Sequence, residues 1–370
     1  MLCSCSGAQA AALADMSAVG EAWAASVNAT GGVNGHPVKL TVMDDGGNPA
    51  TALQDIKQLV QSDHVQALVG DDSLADGTWA PYIAQAGVPV IGGLDPSAPF
   101  ITNPDFFATG TTLPVEVVGE AALAKAEGKK KLGVMYCSET PLCAQVVPLT
   151  KGAAALNGLG FASAAVSSTA PSYAAPCLAM KNEGVDALNV ADNASVVQRI
   201  VDACAQLGYK PVVVNETASV ASNWLTDAGF QGAQLSSSNP WYTDGANPGV
   251  AAFLSALKKY APSVQGSTAF SYDTLYEWLA GTMFKAAAAA GNLSPTSSPA
   301  QVKQALYKLN GTTLGGMAPP LVITPGKPVF SACYFGLTVT AGAVTSLGSS
   351  TPACLTKTQV AGLQAALKGA

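Results

Sequence analysis

Apolar positions along this chain keep two alternating rhythms. Leu13, Met16, Trp23 and Val27 fall at helical spacing, and Gly31-Gly32 after them suit a helix C-terminus. Val38, Leu40 and Val42 then alternate with polar residues, which predicts a strand after the turn Asn34-Gly35-His36-Pro37. Asn48-Pro49 reads as an N-cap and first helical residue, and Leu53, Ile56, Leu59 and Val60 share one face of the helix that follows. Short apolar strands at 67–69 and 88–91 flank a helix through Ala86. The rhythm restarts after Lys131, with strands at 132–135, 161–166, 187–190 and 211–214 and helices near 144–157, 176–182, 194–207 and 219–228. Residues 249–309 read mostly as helix, 321–323 and 334–339 as strands, and a short helix closes the chain after Thr356.

Strands alternating with amphipathic helices predict an α/β fold with parallel sheets, and the restart predicts two doubly wound lobes. The linker candidates at 109–113 and 236–248 are short. The lobes are therefore expected to be joined by several crossings and not strung on a tether. A chain of 370 residues, 49% hydrophobic and 11% charged, is long enough for two cores and too apolar for disorder. Its longest alanine run, 286–290, is far short of the ~20 apolar residues of a membrane span, so a soluble chain is expected. A net charge of −6 gives no basic footprint for nucleic acid. Eight cysteines accompany only two histidines and no Cys-x-x-Cys pair, so zinc is not expected. Two readings remain, buried thiols and disulfides of an oxidising compartment. The close pairs Cys137/Cys143, Cys177/Cys204 and Cys333/Cys354 favour disulfides.

Enzyme signatures are missing from the sequence. It has no Gly-x-Ser-x-Gly elbow, no phosphate-binding Gly-x-x-x-x-Gly-Lys loop and no His-Glu-x-x-His. The segment 30–35 has glycines like a dinucleotide loop, but it follows a helix and precedes a strand, the reverse of the required order. Open α/β sheets bind ligands at the carboxyl ends of their strands. That rule selects Ser4–Gly7, Asp71–Ser73 and Leu94–Pro96 in the first lobe, and Ser138-Glu139, Asp192-Asn193 and Glu216-Thr217 in the second. Such loops serve either as ordinary N-caps or as polar ligand contacts. Their recurrence in both repeats favours ligand contacts. Asp44-Asp45 is read as a solvated loop. Among the aromatic residues Trp241, on a crossover segment, is the candidate ligand contact, while Trp79, Tyr82, Tyr272 and Tyr276 are read as packing.

The stretch 31–50, GGVNGHPVKLTVMDDGGNPA, resembles the signature of type I periplasmic binding proteins, and more closely that of the branched-chain amino acid-binding proteins of ABC importers. Val69-Gly70…Ser73, QAGVPVIG at 85–92 and ITNP at 101–104 extend the resemblance, and the order of features continues to the C-terminus. The resemblance implies a two-lobed solute receptor that closes by hinge bending and delivers its ligand to a membrane permease. It implies three crossovers, with residues 1–112 and 241–328 in one lobe and 113–240 and 329–370 in the other. It matches Ser73 to a serine that meets a ligand carboxylate and Glu216 to an acid that meets an ammonium group. Where the family has small residues and a threonine, this chain has Gly93-Leu94-Asp95, and Asp71, Asp72 and Asp95 lean towards an amine, amide or hydroxylated ligand.

The expected ligand-binding set is thus Cys5, Ser6, Asp72, Ser73, Leu94, Asp95, Ser138, Glu139, Asp192, Glu216 and Trp241. No cofactor or metal is expected. The expected partners are a small molecule and permease subunits, with a monomeric, extracytoplasmic protein, either periplasmic or a cell-surface lipoprotein. Leu2–Cys5 read as the end of a first strand and its loop, with the signal sequence lying outside this chain. Leu2-Cys3-Ser4-Cys5 also fits the lipid-attachment pattern Leu-x-x-Cys, though no apolar run precedes it. A Cys3–Cys5 bond is left open. Two readings compete with this one: a cytosolic ligand-sensing regulator of the same fold, which the paired cysteines disfavour, and an enzyme using clefted carboxylates, which lacks a base, nucleophile or metal set.

Overall fold

The computed structural model describes every residue except 8, 9, 140–142, 218, 219, 221, 349, 369 and 370. The chain divides into two compact units: unit 1 comprises Met1–Thr112 and Tyr242–Ser331, and unit 2 comprises Leu113–Trp241 and Ala332–Ala370. The chain therefore passes three times from one unit to the other. Relative to the expected lobes, Trp241 belongs to unit 2 and residues 329–331 to unit 1.

Unit 1 is built on five parallel strands, β1 (Leu2–Cys3), β2 (Met43–Asp44), β3 (Leu68–Asp72), β4 (Val90–Gly93) and β5 (Phe106–Phe107), in the order β2-β1-β3-β4-β5. Its helices follow the sequence signals closely. Asn48 caps Pro49–Gln61 through its side chain, which accepts from the N–H groups of Ala50 and Thr51. Gly87 ends Asp76–Ala86 in the left-handed conformation, which costs glycine little. The helix Asp273–Gly291 lies against β3 and β4, burying Leu275, Leu279 and Met283 in a core shared with Ile56, Val90 and Phe106. Trp79 stacks on Phe106 at 5.6 Å in this core. The expected strand at 38–42 does not form; the strand starts just after it, at Met43–Asp44, because alternation on a half-exposed edge was not matched by ladder bonds. The segment 321–323 likewise makes a single bridge, Val322 to Phe330, not a strand.

Unit 2 carries β6 (Lys131–Cys137), β7 (Gly160–Val166), β8 (Ala187–Ala191), β9 (Val212–Glu216), β10 (Gln234–Ser237), β11 (Cys333–Thr340), β12 (Ala343–Ser346) and β13 (Ala353–Cys354). The order is β12-β11-β10-β9-β8-β6-β7, with β13 also on β11. Strands β6 to β10 run parallel; β11, β12 and β13 pair antiparallel, so this sheet is mixed where a parallel one was expected. The expected helix near 219–228 begins outside the described residues, and what is seen of it is a 3₁₀ turn, Ser222–Leu225.

All eight cysteines pair: Cys137–Cys143, Cys177–Cys204 and Cys333–Cys354 in unit 2, and Cys3–Cys5 in unit 1. The bond left open by the sequence is therefore formed. No helix among the described residues is long and apolar enough to cross a membrane.

Candidate functional site

In unit 1 the loops after β1, β3 and β4 lie side by side, because those strands are neighbours in the sheet. Asp45, just beyond β2, organises them. Its Oδ1 accepts from the Ser4 hydroxyl at 2.7 Å and from the Gly47 N–H at 2.7 Å, and its Oδ2 accepts from the Ser73 hydroxyl at 2.5 Å. Asp45 is 2% exposed. The expectation of a solvated Asp44-Asp45 loop thus fails at Asp45, whose carboxylate ties three loops together. Asp44 does stay exposed, and it accepts from the Ser6 side chain and from the N–H groups of Gly46, Ser6 and Cys5. Burial alone would raise its pKa, but these bonds outweigh that and hold it below the usual range.

The backbone donors of these loops are also taken. Ser73 N–H donates to Asp71 Oδ1, Leu74 N–H to the Ser4 hydroxyl oxygen and Ala75 N–H to the Ser73 oxygen. Leu94 N–H donates to the Asp71 carbonyl and Asp95 N–H to that of Gly93. Ser73 is 1% exposed, so its side chain faces the interior of its loop. The residue that stands out at the tip is Leu74, at 51% exposure. Leu94 is half-buried and packs with Cys5 against the apolar group of Met1, Cys3, Leu13 and Met16.

Asp72 and Asp95, expected to face a ligand, are buried in unit 1. Asp95 Oδ2 accepts from the N–H and hydroxyl of Thr109 at 2.7 and 2.9 Å. Its pKa is pushed up to about 7 by burial, against the lowering effect of those bonds. Asp72 meets Glu277 of the helix Asp273–Gly291. Burial first, and the nearby Asp273 second, push Asp72 up to about 8; burial and Asp72 raise Glu277 well above the carboxylate range. Neither Asp72 oxygen nor Glu277 Oε2 has another donor, which favours a proton held between the two carboxyls over two buried charges. The pair is seated against the backbone, since a Cβ on Gly70 would lie 1.8 Å from Glu277 Oε2. Asp71 is likewise raised by burial and Asp273 is pushed to about 6. Among the described residues no group of three or more His, Cys, Asp or Glu side chains is arranged to hold a metal ion.

Unit 2 arranges its loops differently. After β6, Ser138 N–H donates to the Val166 carbonyl, and the exposed Glu139 accepts from the Ser167 hydroxyl at 2.8 Å and Ser168 N–H at 2.8 Å. The Ser167 bond is the main reason the Glu139 carboxyl titrates below its usual range. The Ser168 hydroxyl also donates to Asp192 Oδ2 at 2.7 Å, so this one residue, through its N–H and its hydroxyl, links the loops after β6, β7 and β8. Asp192 Oδ1 accepts from Asn193 N–H, and Asn193 in turn caps the helix Ala194–Gln206 at Val196. Arg199 donates to the Ser168 carbonyl and lies over the Tyr173 ring at 5.3 Å. Glu216 ends β9, half-buried. Its charge adds to burial in raising the pKa of Glu120, which accepts from Asn189 at 2.9 Å. Glu116, on the same helix as Glu120, accepts from the Ser238 hydroxyl at 2.7 Å. Trp241, 7% exposed, ends the middle segment of the unit.

Sequence reasoning missed Asp45, Leu74, Ser168, Arg199 and the pair Glu116 and Glu120. The spacing of Glu116 and Glu120, four apart on a helix, was the available signal for that pair. Each unit also has a groove at the other end of its sheet: about 520 Å³ in unit 1, lined by Pro37, Val65, Ala67, Phe284 and Leu293, and about 620 Å³ in unit 2, lined by Val201, Tyr209 and Pro211. Both lie by the amino ends of the strands, away from the loops where open parallel sheets take ligands.

Two α/β units, each with parallel strands whose carboxyl ends carry capped loops, define the class of fold. The sequence matches the periplasmic binding protein family over residues 1–364, and the chain belongs to that family. Its fold, of periplasmic binding protein type I, is shared with a branched-chain amino acid ABC transporter protein from Thermus thermophilus with bound valine (TM-score 0.77, 17% identity, 97% of each chain covered). A putative branched-chain amino acid ABC transporter protein from Rhodospirillum rubrum is similar at TM-score 0.75 and 18% identity, over 94% of this chain and 98% of that one. A fatty acid ABC transporter substrate-binding protein from Thermomonospora curvata is similar at 0.72 and 14%, over 97% and 92%. No functionally curated protein matches the sequence.

Proposed function

We propose that this chain is an extracytoplasmic solute-binding protein that delivers a small organic ligand, such as an amino acid, an amide or a related compound, to the permease of an ABC importer, and is not an enzyme. The observation that carries the reading is the family match across nearly the whole chain, on a fold whose strand-end loops are tied into fixed shapes by hydroxyl–carboxylate bonds. Fixed loops bind without large ordering costs. The proposal includes closure of the two units on the ligand by hinge bending and an ammonium or amide group held by Glu216. The neighbouring structures named above carry valine in one case and a fatty acid transporter's role in another, so the fold itself leaves the solute open. Four disulfides support an oxidising compartment.

The test is thermal melting of protein freed of ligand by unfolding and refolding, against amino acids, amides and amines. A true ligand at one hundred times its Kd stabilises by about 2.7 kcal/mol and raises the midpoint accordingly. A midpoint unmoved by every compound would contradict the proposal. For a cationic ligand found this way, Glu216→Gln is expected to weaken binding at least tenfold; unchanged affinity would remove Glu216 from the site.

A further inference from the structure

We infer that the solute is an amine or amide with an apolar body and no carboxylate, and that the strand-end surface of unit 1 takes the apolar body. This deepens the solute-binding reading and rests on it. Four observations in unit 1 point the same way. First, the hydroxyls a ligand carboxylate would need are turned inward: Ser4 and Ser73 both donate to Asp45. Second, the amide donors of Cys5, Ser6, Ser73, Leu74, Leu94 and Asp95 all bond within the unit, so the loops present no free N–H nest at those positions for an anion. Third, these loops hold no Lys, Arg or His, and they surround Asp44 and Asp45, so the local field repels an anion. Fourth, these loops offer apolar side chains to a ligand body: Leu74, half exposed at the tip, and the half-buried Leu94 and Cys5, alongside the exposed polar Ser6 and Asp44.

An internal carboxylate thus stands where an amino-acid receptor would accept its ligand's. Asp45 already satisfies the donors, and a second carboxylate would have to displace it or remain without a partner in a partly dry site, which is unfavourable. In unit 2 the strand-end loops carry acidic side chains, Glu139 exposed and Asp192 and Glu216 half-buried, whose oxygens accept and do not donate.

The experiment is calorimetry of the ligand-free protein with matched pairs that differ only by a carboxylate: leucine against isopentylamine, phenylalanine against phenethylamine, and leucine against leucinamide. The amine or amide is expected to bind at least tenfold more tightly than its amino acid. The Leu74→Asp variant, at an exposed position whose change leaves the unliganded melting point in place, is expected to weaken the preferred member at least tenfold. Equal or tighter binding of the amino acids would overturn this inference while leaving the solute-binding reading intact. Unchanged affinity in Leu74→Asp would remove the apolar seat. Binding by no member of any pair, together with a flat melting screen, would bring down the solute-binding reading and this inference with it.

Discussion

Unit 1 and unit 2 place the same kind of loop at the same end of the same kind of sheet, yet treat their acids in opposite ways. In unit 1, Asp72, Asp95 and Glu277 are buried and hold their protons towards neutral pH, Asp45 is bonded inside the loops, and Leu74 faces out. In unit 2, Glu139 is exposed and held ionised by serine donors, with Asp192 linked to it through Ser168. A carboxylate at a strand end is thus not by itself a ligand contact. Its role depends on whether donors of its own unit reach it before solvent does. At the strand ends unit 1 ties Asp45 inside its loops while unit 2 keeps Glu139 at its surface, and both units bury further carboxyls, Glu277 in one and Glu120 in the other.

The largest effect that would break this comparison is at Asp45. Asp45→Ala leaves the Ser4 and Ser73 hydroxyls and the Gly47 N–H without their charged acceptor, and is expected to destabilise unit 1 by about 4 kcal/mol. Urea unfolding would measure it, and a loss under about 1 kcal/mol would show that Asp45 does not organise the loops. Next come the disulfides. Replacing Cys177 and Cys204 together by serine opens a link across 27 residues of sequence and is expected to cost ~2–4 kcal/mol. Replacing Cys3 and Cys5, only 2 apart, should cost far less, because so short a ring constrains the unfolded chain little. Peptide mapping without reduction should find four bonds; free thiols at all eight positions would contradict both the pairing and the oxidising compartment.

The third effect is pH. Asp273, Asp95 and Asp72 titrate in the fold near 6, 7 and 8, above the unfolded value. The folded state therefore holds more protons, and the stability this provides is full below about pH 4 and lost as pH rises through 6 to 8. Unit 1 is expected to lose on the order of 5 kcal/mol between pH 5 and 8.5, the lowered pKa of the Met1 amino group offsetting part of the carboxyl contribution. Asp72→Asn should reduce that loss, read as a flatter dependence of melting temperature on pH. A wild-type melting point that rises over this range would show the buried pair to be ionised.

Much of this architecture was legible from the chain. Strands β3, β4, β6, β7, β8, β9 and β11 sit at or beside runs of apolar residues, and the caps at Asn48 and Asn193 act as their residue types predict. Periodicity failed where burial was complete or composition misled. Leu113–Ala126 buries residues all round, including Glu116 and Glu120, so it shows no amphipathic stripe and 109–113 read as a linker. Strand β10 is Gln234-Leu235-Ser236-Ser237, whose serines are all buried yet resemble loop composition. Placing acids at strand ends was also legible, but the direction each side chain takes depends on donors distant in sequence. Asp45 finds Ser4 and Ser73, 41 and 28 residues away, and Asp72 finds Glu277 on a helix from the other segment of unit 1.

The central claim is the inference that the solute carries no carboxylate, because the loops of unit 1 turn their hydroxyl donors to Asp45. Native mass spectrometry of protein purified without unfolding, followed by identification of the molecule it releases, tests this most directly. The account predicts an amine or amide with an alkyl or aromatic body and no carboxylate. Release of an α-amino acid or another carboxylic acid would contradict it.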